Sequence, residues 1–255
     1  MRTQTVNLWL MGGLGNVLFQ VNFGRHLRAK GYDVCFVDNL VKKNIITKIL
    51  RWKIHSPDYL SLDEEFVSKS LVYAFLTVSF AKLKISNFAL WIDGFFDLKK
   101  HAVGNVFCYF QNADNLGSID IRLTRGEFKN SSISDAINEN IVVHRRYTDS
   151  GWAQPSLVAM EKKIGNTAAV LVCSDSIAAV KRDFGQYSFN YNCREGFSAL
   201  DDFLAMADCK TLVCSNSTFA FWAALIGDHD YIYMPRALVK KFPCIKILKK
   251  EVYEF

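Results

Sequence analysis

The chain has 255 residues, half of them hydrophobic and 22% charged, which excludes intrinsic disorder and allows one large domain or two of about 125 residues. A net charge of +6 at pH 7 and a sequence pI near 8.9 suit an anionic partner. The basic residues are dispersed, with no zinc-finger spacing and no RNA-binding signature of paired aromatics, so nucleic acid is not the expected partner.

Met1 to Leu10 is too short and too polar for a signal peptide before Gly12 and Gly13 interrupt it, so export is not expected and a cytoplasmic location is. Leu71 to Phe96, the most apolar stretch, is broken by Lys82, Lys84, Asn87 and Asp93, too often for a spanning helix. Seven cysteines is an odd count without a C-x-x-C, and Cys209 and Cys214 are too far apart for a close metal-ligand pair. They are expected to be buried small hydrophobes, with no metal bound.

Thr5 to Leu10 reads as a strand, followed by the turn Met11-Gly12-Gly13-Leu14-Gly15-Asn16, an apolar-periodic helix from about Val17 to Lys30, and Gly31 to end it. Val34 to Val37 is a second short strand, which makes the opening a βαβ unit with a glycine turn at the carboxyl end of its first strand. In the middle, Tyr59 to Ser70 and the apolar run after it read as helical. Cys108 to Gln111 resembles a strand, and the Asn, Ser, Gly and Asp content of 112–140 places a domain boundary near residue 125.

Beyond Asn140 the alternation sharpens: strand Ile141 to His144, helix Pro155 to Lys163, strand Ala168 to Cys173, helices Ile177 to Phe184 and Ala199 to Ala207, and strand Thr211 to Cys214. Ser198 with Asp201 has the spacing of a capping box, and Ser217 can cap a helix Thr218 to Ile226 ahead of the strand Tyr231 to Met234. Such alternation predicts an α/β fold with a parallel sheet covered on both faces.

Four segments have residue types that suit an anionic ligand. The glycine turn, with Gly13, Gly15 and Asn16, lets main-chain amides approach a phosphate or sugar at a helix N-terminus, although a glycine turn after a first strand is as often purely structural. His144-Arg145-Arg146 ends a strand; alternation sends the two guanidiniums to opposite faces, so one reaches a diphosphate and the other supports the fold. Ser215-Asn216-Ser217-Thr218 joins a strand to an apolar helix, where hydroxyls and first-turn amides make an anion site. Ser174 and Asp175 follow a strand directly, where a carboxylate could accept from a base or ribose, or could cap the next helix. Lys42 to His55 alternates apolar and basic residues as an amphipathic helix on an anionic membrane would; a core helix with a solvated face is the competing reading.

In chain order these segments resemble glycosyltransferase family 11, the α-1,2-fucosyltransferases. Gly12-Gly13-Leu14-Gly15-Asn16-Val17-Leu18-Phe19-Gln20 is similar to the family's G-G-L-G-N-Q-L-F-Q, and Phe23-Gly24 continues it. Tyr109-Phe110-Gln111 is similar to Y-(F/W)-Q, Ser174-Asp175 to the start of S-D-D, and Met206 to Leu225 to M-S-x-C followed by N-S-T-F-S-W-W-A-A. The pattern departs at H-x-R-R-G-D: His144 directly precedes Arg145, Tyr147 and Thr148 replace Gly-Asp, and Asp149 follows one residue late. Ser176 replaces the second aspartate of S-D-D.

The resemblance implies a GT-B-like architecture of two Rossmann-like domains facing a cleft, an acceptor-side domain over 1–125 and a nucleotide-sugar-binding domain over 126–255. It implies inverting transfer without metal or cofactor, from GDP-fucose or another nucleotide-sugar to an oligosaccharide, lipid-linked if the product is a bacterial surface polysaccharide. The residues expected to carry catalysis are Arg145, Arg146, Asp149 and His144. Those expected at the nucleotide-sugar are Gly13, Gly15, Asn16, Arg145, Arg146, Ser174, Asp175, Ser215, Asn216, Ser217 and Thr218. Two rivals stand beside this reading: a same-fold transferase using a different sugar, and a carbohydrate- or nucleotide-binding module without turnover.

Overall fold

The computed structural model describes residues 5–42, 48, 62, 64–82, 89–91, 104–107, 141–147, 156, 169–186, 190–193, 197–243, 245 and 252–254. The chain divides into two compact units, Met1–Leu123 and Thr124–Phe255. Each is α/β with a wholly parallel sheet among its described residues.

The first unit contains β1 (Thr5–Trp9), α1 (Leu14–Ala29), β2 (Asp33–Val37), β3 (Phe66–Val67), α2 (Leu71–Lys82), β4 (Ala89–Trp91) and β5 (Asn105–Phe107), with strand order β3-β2-β1-β5-β4. Helix α1 starts at Leu14, three residues earlier than the periodicity predicts, so Gly15 and Asn16 lie inside its first turn and the turn proper is Gly12–Gly13. Gly12 has φ +81°, a conformation in which any L side chain is strained, and a Cβ there would also crowd the Asn16 side chain. Gln20, buried in α1, clamps this turn by accepting from Met11 N at 2.9 Å and donating to Met11 O at 3.3 Å.

The helical reading of Tyr59 to Ser70 is corrected where it is described: Phe66–Val67 is strand, and the helix begins only at Leu71. The buried Asn39 amide pairs with Lys69 like a strand neighbour, accepting from its N–H at 2.8 Å and donating to its carbonyl at 3.0 Å, which holds the chain extended up to the helix start. Helix α2 buries Ala74, Val78 and Ala81 against Trp9, Met11, Val37, Leu40 and Phe107. The expected strand 108–111, all but Ser156 of the expected helix Pro155 to Lys163 and nearly all of the amphipathic stretch 42–55 lie outside the described residues.

Close packing of α1 on the sheet is made through Gly24, where a Cβ would meet the Phe36 ring at 2.3 and 2.5 Å and Leu8 Cδ1 at 3.0 Å. Phe36 cannot swing away freely, because it is fully buried, with the Arg28 guanidinium 4.7 Å from its centroid and Phe66 tilted against it. A Gly24→Ala change gains about 1 kcal/mol of helix propensity but overpacks this contact at about 1–3 kcal/mol. The expected result is a net loss of about 1 kcal/mol, read as a lower urea midpoint for the first unit at unchanged slope; a raised midpoint would show that the ring yields.

The second unit contains β6 (Ile141–Arg145), β7 (Ala169–Ser174), α3 (Ile177–Phe184), β8 (Asn190–Cys193), α4 (Ala199–Asp208), β9 (Thr211–Val213), α5 (Thr218–Ile226), β10 (Tyr231–Met234), α6 (Arg236–Lys241) and β11 (Val252–Glu254). The expected caps form: Ser198 and Asp201 make a reciprocal capping box on α4, and Ser217 caps α5 by accepting from Phe219 N. Helix α5 is apolar on every side and buries Ala220 to Leu225, so tertiary packing fixes where its N-terminus points. Cys173, Cys209 and Cys214 are buried, and desolvation pushes the Cys209 thiol up to about 12, which makes it an inert packing group.

Strand order in this unit is β11-β10-β9-β6-β7-β8. The chain builds outward from β6 through β7 to β8, then crosses back and lays β9 on the other side of β6. This is the doubly wound order, with its reversal between β6 and β9, and a ligand crevice opens at the carboxyl ends of the two strands flanking such a reversal. Val143 is paired with Val213, so His144–Arg146 and Cys214–Ser217 leave the sheet as neighbours.

Candidate active site

Two-residue alternation along β6 sorts the basic segment onto two faces. Val143 packs into the cluster of Val170, Val172, Val180 and Phe184 under α3, with Tyr147 against it. Arg145 follows Val143 to that side. Its guanidinium is buried, with Nη2 3.6 Å from Asp183 Oδ2, Nε donating to the Tyr147 hydroxyl at 3.4 Å, and the Phe184 ring 6.0 Å from Cζ. Tyr147 in turn donates to Asp183 at 2.8 Å. Burial works to raise the Asp183 pKa, but hydrogen bonds from Tyr147 and Arg182 and the charges of both arginines hold it below the usual carboxylate value. These contacts hold Arg145 on the α3 face of the sheet.

His144 and Arg146 take the opposite face, toward the loop after β9. Arg146 Nη1 donates to Ser217 Oγ at 3.2 Å, and the same oxygen accepts from Phe219 N at 3.2 Å as the cap of α5. The His144 ring is buried, with Nδ1 2.7 Å from Ser215 Oγ and Phe219 tilted against it at 5.6 Å. Ser215 is buried as well, and its carbonyl accepts from Ser217 N at 2.8 Å. Burial, with the positive charges of Arg146 and Arg145 outweighing Asp175, pushes the His144 pKa down to about 4, so the ring is neutral at pH 7.

The basic segment and the hydroxyl-rich segment therefore converge at the strand-order reversal. A guanidinium, a hydroxyl and the N-terminal amides of a nine-residue apolar helix gather there, a combination suited to phosphate oxygens. Asn216 and Thr218, both half-buried, lie in the same loop and at the first helical position.

Ser174 and Asp175 flank this arrangement at the end of β7. The exposed Asp175 accepts from Tyr147 N through Oδ1 at 2.7 Å, which ties the segment after β6 to the loop after β7. Ser174 Oγ accepts from Ser176 N at 3.1 Å, and Ser176 caps α3 by accepting from Ala179 N at 3.4 Å. Gly13 is the N-cap of α1 without a side-chain bond, and Gly13, Gly15 and Asn16 belong to the first unit. Asp149 lies outside the described residues. Two contributors escaped the sequence reading as site residues. Gln20 was visible as the last residue of the glycine motif, whereas Asp183 carried no local signal, since its partner lies 38 positions away, at Arg145.

A doubly wound parallel sheet with a cationic and hydroxyl-lined reversal has the chemistry that suits a nucleotide-type anion. The family profile described as Glycosyl transferase family 11 matches residues 103–251, more than half of the chain, and the chain belongs to that family. It is therefore a glycosyltransferase. Comparison with curated proteins gave no match.

Among solved structures the chain is similar to POFUT1 in complex with GDP-fucose, at 13% identity and TM-score 0.45, covering 100% of this chain and 98% of that one. It is similar also to POFUT1 in complex with GDP, at 13% identity and TM-score 0.43, covering 89% of this chain and 96% of that one. The POFUT1 apo-form matches at 13% identity and TM-score 0.41, covering 100% of this chain and 99% of that one. Among the described residues, no helix is long and apolar enough to cross a membrane.

Proposed function

We propose that the chain transfers fucose from GDP-fucose, with inversion, to a galactose-type hydroxyl in α-1,2 linkage on a surface-polysaccharide oligosaccharide. In this reading the nucleotide-sugar binds residues 126–255, the acceptor binds 1–125, and the two domains face a cleft in the GT-B manner. The observation that carries it is the contact of Arg146 with Ser217 at the reversal between β6 and β9. As the bond from the anomeric carbon to the β-phosphate oxygen breaks, negative charge grows on the departing diphosphate. In this reading Arg146, the Ser217 hydroxyl and the α5 amides stabilise it. The acceptor oxygen attacks the anomeric carbon from the opposite face and passes its proton to a base, for which Asp149 is the proposed residue.

A second reading, a different nucleotide-sugar, is favoured by the loop after β7. The family's second aspartate is Ser176 here, and its hydroxyl is engaged in capping α3. Asp175 meanwhile is engaged with the Tyr147 amide.

Thermal-shift measurement against GDP, UDP, dTDP and CMP separates the readings, because a ligand at 100 times its Kd adds about 2.7 kcal/mol to the stability of the state that binds it. GDP is expected to give the largest shift, with release of GDP from GDP-fucose in the presence of a galactoside. A larger shift with UDP, dTDP or CMP would reassign the donor. Binding without turnover of any donor would leave a binding module.

A further inference from the structure

We infer that His144 is a positioning residue that acts through Ser215 to set the nucleotide-binding loop, and not the group that takes the acceptor's proton. The inference rests on the donor reading above. A connected set of contacts carries it: His144 Nδ1 to Ser215 Oγ at 2.7 Å, Ser215 O to Ser217 N at 2.8 Å, and Ser217 Oγ to Arg146 Nη1 at 3.2 Å. His144 and Arg146 are two residues apart on one face of β6, so one strand grips the loop at both ends, by the ring at Ser215 and by the guanidinium at Ser217. The ring has little freedom, being 7% exposed and packed on Phe219, whose own ring lies 5.2 Å from that of Phe203 on α4.

A base must reach the acceptor hydroxyl and take up a proton. The His144 ring is enclosed, its Nδ1 faces a serine hydroxyl, and the charged groups around it are Arg145 and Arg146 on its own strand and Asp175 after β7, a net positive surrounding that opposes an imidazolium. A neutral ring suits the role: Ser215 and Nδ1 share one hydrogen in either tautomer, and the bond persists across the physiological range.

The test measures GDP affinity by titration calorimetry from pH 5.5 to 8 in wild type, His144→Phe, His144→Asn and Ser215→Ala. Phenylalanine keeps the packing and loses the hydrogen bond, whereas asparagine can return a polar atom to the position of Nδ1. The phenylalanine and Ser215→Ala variants are each expected to bind GDP about three- to tenfold more weakly, the scale of one buried hydrogen bond. The double variant His144→Phe/Ser215→Ala should lose no more than either single one. His144→Asn should recover most of the affinity, and the ratio to wild type should not vary with pH.

GDP affinity unchanged in His144→Phe overturns the inference, as does failure of asparagine to rescue. Should wild type not bind GDP, the donor reading falls, and the role of His144 is then read from hydrogen exchange at Ser217 N–H. Faster exchange in His144→Phe and Ser215→Ala but not in His144→Asn upholds it, and equal exchange in all variants refutes it.

Discussion

Arg146→Ala is expected to lower kcat by about 10²–10³, the loss of about 3–4 kcal/mol seen when one preorganised donor to a developing anion is removed. The guanidinium is half-buried at the carboxyl end of β6, and its partner Ser217 keeps the Phe219 amide as a second partner when the arginine is gone. Folding should therefore survive, and circular dichroism and the urea midpoint should match wild type while turnover collapses. Arg145→Met is expected to do the opposite. It removes a buried guanidinium from between Asp183, Tyr147 and Phe184 on the α3 side, so stability falls while GDP affinity of the folded protein holds. Full turnover in Arg146→Ala, or loss of GDP binding in folded Arg145→Met, would reverse the assignment of the two arginines.

The second large effect is on stability in acid. His144 has its ordinary pKa of 6.5 when unfolded and about 4 in the fold, because burial and two neighbouring guanidiniums oppose the charged ring. Between those values the unfolded chain holds a proton that the native chain lacks, so stability rises with pH there and falls as the solution is acidified. The contribution is fully present above about pH 6.5, drains away down to about pH 4, and amounts to roughly 3 kcal/mol over the interval at about 1.36 kcal/mol per unit of pKa. Urea unfolding of the second unit at pH 4.5, 5.5 and 7 should show the gap between wild type and His144→Asn widening as pH rises. A gap independent of pH would mean that the ring is more solvated than its surroundings indicate. The acid loss of Asp183, whose native pKa is also depressed, is common to both proteins and cancels in the difference.

Where local physics dominates, the chain could be read directly. Ser198 with Asp201 and Ser217 ahead of an apolar run fixed two helix starts, because a cap is decided within four residues. Gly31, at φ +87°, closed α1 for a similarly local reason. The short strands β4, β8 and β11 and the helix α6 were not legible, since three to six residues carry too little periodicity to stand out from their neighbours. Phe66–Val67 was misread because the Asn39 amide, 30 positions from Lys69, holds that segment extended.

By itself the sequence determined the α/β alternation, the family and the residue types that suit a diphosphate, because motif chemistry and hydrophobic period are properties of short stretches. Only the tertiary structure decided which partners each arginine meets. Alternation guarantees that Arg145 and Arg146 face apart, but the side on which each partner waits depends on β9 returning to lie beside β6 and on α3 covering the other face. The same return brings Ser215 and Ser217, 71 positions along the chain, to His144 and Arg146. Contacts across such a separation follow from strand order, and strand order is set by how both faces of the sheet are buried.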